Sequence, residues 1–482
     1  MSNSVRTRFA PSPTGFMHIG NLRTGLYAYL FAKSKGGDFI LRIEDTDQER
    51  KVEGAVDMIY RTLETAGITY DEGPDKDAGF GPYVQTERMG IYKEYAEKLV
   101  ELGGAYYCFC DKERLESLKD ENGVHTYDKH CRNLSREEVA RRLAAGEPYV
   151  IRQKVPEGVV SEYEDMVFGK ISVNSADIED GILLKSDGLP TYNFANVVDD
   201  HLMRISHVIR GTEYLSSTPK YNLIYDAFGW ERPKYMHLPP IMKDATRKLS
   251  KRFGDANFED FISKGYLPEA IVNYIALLGW CPKDNREKMS MSEMIEAFDV
   301  DGISHSSSIF DEAKMRWLNG EYLKAMSDGE FYAAALPWIE KGIGDSGFDK
   351  EEIAMLMKTR VDILSEIPEK IAFLTGFKAY DLAMYEHKKM KVDKAVALRA
   401  VEASINILSA LDSWNDESIK QAIVDGAEGA GLKSGQIMFS MRVALTGEPV
   451  TPGGAIEMAT VLGKTESLRR LEFSKELLAG AQ

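Results

Sequence analysis

Cysteine is scarce: four in 482 residues, too few for a disulfide framework in a chain of this length. No run of eighteen apolar residues occurs, which excludes a membrane-spanning helix of the usual kind. The opening stretch, MSNSVRTRFAPSP, lacks the apolar centre of a secretory signal, and a cytoplasmic location is expected. Neither GxGxxG nor GxxxxGKS/T is present, so neither the dinucleotide fingerprint nor a P-loop is supported. Positive charge is also short, with 60 Lys and Arg against 76 Asp and Glu and a net charge of −16. That argues against indiscriminate coating of nucleic acid but leaves room for RNA on a local basic face. Fixed-period repeats and low-complexity tracts are missing too.

What remains is an ordinary globular composition, 44% apolar and 28% charged, in a chain long enough for about three domains. Residues 5–10, VRTRFA, predict a short buried strand. LRTGLYAYLFAKSKGG predicts a helix with Leu22, Leu26, Tyr29 and Leu30 on one stripe, stopped by Gly36-Gly37. DFILRIE predicts the next strand, completing a βαβ unit. Thr46-Asp47-Gln48-Glu49 has the form of a capping box for a helix running through Val52, Val56, Ile59, Tyr60 and Leu63 to Gly67. Gly, Pro and Asp gather between 73 and 81, a domain boundary. The stretch from 90 to 190 mixes patterns, and residues 191–230 return to apolar strand and helix. That order fits an α/β domain with a long insertion. Past 260 the strand signal fades; YLPEAIVNYIALLGW sets Pro268 at a helix start and Gly279 at its end. Amphipathic helices dominate from about 325 on. Cys281, beside Trp280, reads as core.

Two stretches carry chemistry. PSPTGFMHIGNLRTG, residues 11–25, lies after the first strand, where doubly wound sheets bind ligands. Gly15 and Gly20 allow close backbone approach, Pro11 and Pro13 stiffen the path, and the helix starting near Gly20 points its N–H groups at the crevice. His18 can donate to phosphate oxygens; the plain alternative is a histidine that only caps the helix. KDATRKLSKRFGD, residues 243–255, gathers Lys243, Arg247, Lys248, Lys251 and Arg252 on a loop that could close on a triphosphate; the plain alternative is a solvated basic loop.

HIGN resembles the HIGH signature of class I aminoacyl-tRNA synthetases, and RFAPSPTGFMHIGN is similar to the opening of glutamyl-tRNA synthetases. KLSKR resembles the second signature, KMSKS, in the right order. GYLPEAIVNYIALLGW, FDEAKMRWLN and VLGKTESLRRL carry the similarity to the end of the chain. The resemblance implies an α/β fold: a Rossmann-type parallel-sheet catalytic domain over 1–88 and 191–243, with an α+β acceptor-stem-binding insertion over 89–190. A stem-contact domain with the KLSKR loop would span 244–326, and an all-α anticodon-binding region 327–482. It implies a glutamate–tRNA ligase that takes ATP with Mg2+, L-glutamate and the glutamate tRNA, with the glutamine tRNA as a second acceptor in some relatives, and that works as a monomer without a membrane.

The resemblance also assigns residues. His18, Lys248 and Lys251 would be catalytic. ATP would meet Pro11, Gly15, His18, Gly20, Asn21, Lys248, Leu249, Ser250, Lys251 and Arg252; Asn21 stands where HIGH has its second histidine. Glutamate, with two carboxylates, calls for two arginines in bidentate pairing. Arg8 and Arg210 fall on the family's glutamate positions, with Ala10, Ser12, Glu44, Tyr192 and Asn196. Alone, each arginine reads more often as an ordinary salt-bridge partner. Cys108, Cys110 and Cys131 resemble the zinc-binding insertion of some members. Asn133 stands at the usual fourth ligand, and His125, Tyr127 or His130 could substitute; spare thiols are the alternative. Three rival readings are an adenylating nucleotidyltransferase, a silent RNA-binding paralogue and a helical scaffold.

Overall fold

The computed structural model describes residues 4–47, 50, 52–118, 127–249 and 257–480. The chain forms two compact units, Met1–Ser263 with Pro268–Glu312, and Lys264–Leu267 with Ala313–Gln482.

In the first unit, RTRF makes β1 (Arg6–Phe9) and α1 (Ile19–Ser34) leads to β2 (Asp38–Leu41). β1 and β2 pair in parallel, Arg6 opposite Asp38 and Phe9 opposite Leu41, as the apolar runs predict. α1 buries more than its expected stripe: Tyr27, Ala28 and Phe31 are enclosed as well, the mark of a helix covered on most sides. It ends where Gly36 takes φ +64° and where a Cβ on Gly37 would collide with the Val5 carbonyl oxygen, a return that requires glycine.

α2 (Ala55–Thr65) starts later than its sequence signal. Gly54, left-handed at φ +74°, precedes it without a side-chain cap, so Thr46 caps nothing here; Gln48 and Glu49 lie outside the described residues. Instead the Val52 N–H donates to the Pro13 carbonyl at 3.0 Å, tying this segment to the first loop.

α3 (Met89–Glu101) opens the insertion, followed by β3 (Ala105–Cys108), α4 (Lys112–Glu116), α5 (Arg136–Ala144), β4 (Val150–Gln153), β5 (Val160–Asp165), β6 (Gly169–Asn174) and β7 (Ile182–Leu184). β3, β4 and β7 form an antiparallel sheet. Then come α6 (Tyr192–Leu202), β8 (His207–Gly211), α7 (Thr218–Phe228) and β9 (Lys234–Leu238). β8 and β9 pair in parallel, with Arg210 opposite His237, and β5 of the insertion adds to β9 where Asp165 meets Tyr235.

Ser206 joins the two βαβ units. Its N–H donates to the Arg6 carbonyl at 3.0 Å and its Oγ accepts from the Arg6 N–H at 2.7 Å. β1 therefore lies between β2 and β8, and the strand order runs in opposite directions from that seam. Such a reversal is where an open α/β sheet leaves a ligand crevice at its carboxyl edge.

Beyond β9, Pro268–Leu277 is helical and Gly279 takes φ +103°, as expected. Cys281 is a correction: it is exposed. Trp280 is buried, its Nε1–H donating to the Asp299 carbonyl at 3.1 Å. Trp280 sits in an extended bridge with Ile303, so the next side chain points the opposite way.

The second unit is helical, with long helices at Asp328–Ile343, Lys394–Ser409, Asp416–Gly429, Ser434–Thr446 and Ala455–Ala479. Arg470, 1% exposed, ties this bundle by donating to the carbonyls of Phe373, Leu374 and Leu445 at 3.0, 2.6 and 2.9 Å. Among the described residues, no helix is long and apolar enough to cross a membrane.

Candidate functional site

His18 caps α1, its Nδ1 accepting the Gly20 N–H at 3.0 Å. A Cβ on residue 20 would lie 3.1 Å from that nitrogen, so glycine there lets the ring settle. A neutral imidazole that accepts at Nδ1 carries its proton on Nε2. Capping and donating are thus compatible.

The segment that follows the lysine-bearing stretch meets this loop. Lys243 N–H donates to the Arg247 carbonyl at 2.8 Å and Leu249 N–H to the Ile241 carbonyl at 3.1 Å, which turns residues 241–249 back on themselves. Lys248 is exposed and Leu249 half-buried. Ser250, Lys251 and Arg252 lie outside the described residues. Beyond that stretch, Asn257 pairs with His18 in an antiparallel bridge, and the Phe258 N–H donates to the Met17 carbonyl at 3.2 Å. The segment just past the second signature therefore pairs in backbone with the first, although the two stand more than two hundred positions apart in sequence.

At the seam between β1 and β8 lies a cleft of about 890 Å³. Arg8, Ala10, Pro11, Ser12, Asn21, Glu44, Tyr192 and Arg210 all line it. Gly15, His18, Gly20, Lys248 and Leu249 do not line it. Nor does Asn196, which is buried and donates its side-chain amide to the Tyr192 carbonyl at 2.7 Å.

The two arginines are held differently. Arg8 donates to both Asp200 oxygens, at 3.1 and 3.3 Å, and to the Ile209 carbonyl at 3.3 Å. Asp200 also receives Arg42 at 2.7 Å, and Arg42 reaches Glu44 at 2.9 Å. Asp199, the neighbour on α6, takes Arg88 at 2.7 Å, Gln85 at 2.9 Å and the Tyr92 hydroxyl at 2.8 Å. Burial pushes the Glu44 carboxyl up, only partly countered by Arg42 and Arg8. Burial acts on Asp200 in the same sense, but Arg8 and Arg42 outweigh it and hold that carboxyl below its ordinary range.

Arg210 has no carboxylate partner among the described residues. Its Nε–H donates to His237 Nε2 at 3.2 Å and its Nη2 to Thr218 Oγ1 at 2.6 Å. The rings of Tyr221, Tyr214 and Tyr235 stand 4.9, 5.1 and 5.5 Å from the guanidinium carbon. Such π-faces stabilise a cation without neutralising it. A buried guanidinium in a neutral frame is poised for an anionic ligand.

Sequence reasoning missed Asp200, Arg42, Thr218 and His237. One signal was present: VVDDHL puts two adjacent carboxylates in an otherwise apolar helix, and buried carboxylates require cationic partners. Thr218 and His237 left no comparable trace.

In the insertion, the Cys108, Cys110 and Cys131 sulfurs lie within 4.8 Å of one another. The Tyr127 hydroxyl is 3.2 Å from Cys108 and 3.9 Å from Cys110, and the Arg152 guanidinium stands 3.9 Å from the Tyr127 ring centre. Hydrogen bonding from Cys131 lowers the Cys108 thiol, with help from Tyr127 against burial. Three converging thiols, one favouring thiolate, offer the sulfur ligands of a zinc site, whereas the Tyr127 phenol accepts the Cys131 N–H at 3.2 Å and is kept protonated by burial. His125 lies outside the described residues.

In the helical unit a groove of about 770 Å³ is lined by Met390, Lys420, Met438, Phe439 and Arg442 among others. The Arg442 guanidinium stands 5.7 Å from the Phe439 ring.

The family described as "tRNA synthetases class I (E and Q), catalytic domain" matches residues 4–317, and "Anticodon binding domain" matches residues 330–474. The chain is 54% identical to the glutamate–tRNA ligase of Clostridium novyi (strain NT), over 100% of this chain and 99% of that protein. It is 53% identical to the glutamate–tRNA ligase of Clostridium tetani, over 99% and 98% respectively. A solved glutamate tRNA ligase from Elizabethkingia meningosepticum, in complex with its amino acid, superposes with a TM-score of 0.90 at 36% identity, covering 99% of this chain and all of that one.

Proposed function

The chain belongs to the class I tRNA synthetases of the E and Q family, and on that premise we propose how its cleft joins glutamate to tRNA. Its activity is that of a glutamate–tRNA ligase. One glutamate carboxylate attacks the α-phosphorus of ATP, the bond to the β-phosphate oxygen breaks, and pyrophosphate leaves. The terminal ribose hydroxyl of the glutamate tRNA then attacks the mixed anhydride, and AMP leaves. No side-chain nucleophile is needed, so catalysis comes from position and charge.

Arg8 and Arg210, sharing one cleft at the strand-order reversal, carry this reading. They take the two carboxylates of glutamate, with Glu44, Tyr192, Ala10 and Ser12 around the ammonium and backbone. His18, from Nε2, the first turn of α1, Lys248 and Lys251 meet the ATP phosphates, with Mg2+ entering as part of that substrate. Zinc would be held by the thiolates of Cys108, Cys110 and Cys131 and would brace the insertion rather than react. The Phe439–Arg442 groove receives unstacked anticodon bases by stacking. The enzyme works as a monomer in the cytoplasm.

Pyrophosphate exchange dependent on glutamate and tRNA tests the chemistry; a silent RNA binder gives none. Charging purified isoacceptors with labelled glutamate reads whether the glutamine tRNA is also accepted. Lys251→Ala is expected to lower the aminoacylation rate about 100-fold or more while tRNA binding holds; an unchanged rate removes Lys251 from the mechanism.

A further inference from the structure

His237 touches neither the cleft nor any reacting group in the scheme above, yet it is fully buried against Arg210, the cleft guanidinium held by neutral partners. Its other nitrogen, Nδ1, lies 2.6 Å from Asp165 Oδ2. Asp165 is itself locked: its Oδ1 accepts the N–H groups of Val167 and Phe168, each at 3.0 Å. An imidazole between a carboxylate and an arginine N–H must donate from Nδ1 and accept at Nε2, which fixes one neutral tautomer. Thr218 works in parallel. Its hydroxyl donates to the Tyr214 carbonyl at 2.8 Å and so accepts from Arg210 Nη2.

The Nε and Nη2 side of Arg210 is thereby engaged by two neutral acceptors, and Nη1 has no protein partner among the described residues. A carboxylate in place of His237 would fix the guanidinium equally well but neutralise it and compete with substrate. An apolar residue would leave the charge mobile and its Nε–H unsatisfied. The imidazole avoids both faults, and the Asp165 charge that orients it stays one ring removed. The register supports this: β8 and β9 put Arg210 directly opposite His237, and β5, from the insertion, delivers Asp165 beside them.

We propose that His237 is a positioning residue for glutamate binding, held by Asp165 and holding the Arg210 guanidinium so that its remaining N–H groups meet a substrate carboxylate. The assignment rests on the role given to Arg210 above.

The test is steady-state aminoacylation by the full chain, with KM measured separately for glutamate and for ATP. Asparagine carries a side-chain nitrogen near the position of Nδ1 but nothing at Nε2; glutamine places an amide oxygen near Nε2. His237→Asn is expected to raise the glutamate KM about 10-fold or more, the value of one hydrogen bond to a charged group, with the ATP KM within about twofold. His237→Gln is expected to recover most of that loss. Equal rises in both KM values, or a glutamine variant no better than the asparagine one, would overturn the proposal. If His237→Asn does not melt cooperatively, Thr218→Val decides: an isosteric loss of the second acceptor should raise the glutamate KM several-fold, and an unchanged value counts against positioning. Arg210→Ala separates the two levels. No effect of that variant on glutamate removes the role of Arg210, whereas a large effect beside silent His237 and Thr218 variants removes only the role of His237.

Discussion

The two sides of the cleft hold a buried arginine in opposite ways. On the β1 side, Arg8 and Arg42 share Asp200, and Asp199, Glu44 and Arg88 extend the network. On the β8 side, Arg210 meets an imidazole, a hydroxyl and three tyrosine rings. A closed ion network offsets the desolvation of its own charges and makes the fold depend on every member. A neutral frame leaves its cation's field for whatever enters. The first arrangement fixes the site and the second keeps it receptive.

The largest expected effect lies on the β1 side. Asp200→Ala leaves two guanidiniums, Arg8 and Arg42, buried without their shared carboxylate. Urea unfolding should show a loss of about 3–5 kcal/mol, the cost of breaking a buried pair. A midpoint close to wild type would mean that the network re-pairs through Glu44 or Asp199 and is less closed than its geometry implies.

Arg210→Ala should behave in the reverse manner. Its partners are neutral and can satisfy one another, so stability should fall by only about 1 kcal/mol. Aminoacylation efficiency for glutamate should fall on the order of 10²–10³-fold, the effect of stripping one partner from a buried charge pair. Large unfolding with modest kinetic loss would reverse the roles given to the two sides.

The contrast between the sides was only half legible in the sequence. β1, α1 and β2 follow from local apolar periodicity and from glycines at 36 and 37, where a positive φ and a close approach to the Val5 carbonyl leave a trace in residue type. Arg8 and Arg210 were found through motif resemblance; by themselves they look like any arginine near a strand. The partners that distinguish them were not legible. Arg42 and Asp200 are 158 residues apart and Arg8 and Asp200 are 192 apart, so no spacing rule connects them. His237 sits in an apolar strand segment, KYMHL, where a core histidine is the ordinary reading. The capping box at Thr46 and the core placement of Cys281 failed for a related reason. Local pattern gives a residue's preference, while direction and neighbours come from tertiary packing.

A smaller effect refines the neutral side. Tyr214 is half-buried, and its ring is one of three around Arg210. Tyr214→Leu keeps apolar volume but removes a π-face, worth about 0.5–1 kcal/mol where solvent is near. The glutamate KM should rise about two- to fivefold, with the ATP KM steady. A tenfold loss would mean that Tyr214 contacts glutamate directly rather than through the guanidinium.

The last separation is by pH. Burial lowers the His237 imidazole below its ordinary value of 6.5, so the unfolded chain binds the extra proton first. Its contribution is complete above about pH 6.5 and is lost as pH falls through that value toward the folded one. Asp200 is held below its ordinary 3.8, so its contribution persists to about pH 4 and is lost only below it. Glu44, pushed up by burial, changes stability in the opposite sense above its ordinary 4.5, and His207, lowered by burial to about 4, slopes the same way as His237. Both are common to wild type and His237→Gln, so only the difference between those two proteins carries the answer. Urea midpoints from about pH 7.5 to about pH 5.5 should slope less for His237→Gln than for wild type. A wild-type stability that falls with rising pH relative to His237→Gln, the reverse sign, would mean that the imidazole beside Arg210 is already charged. The β8 side would then be a second ionic network rather than a neutral frame.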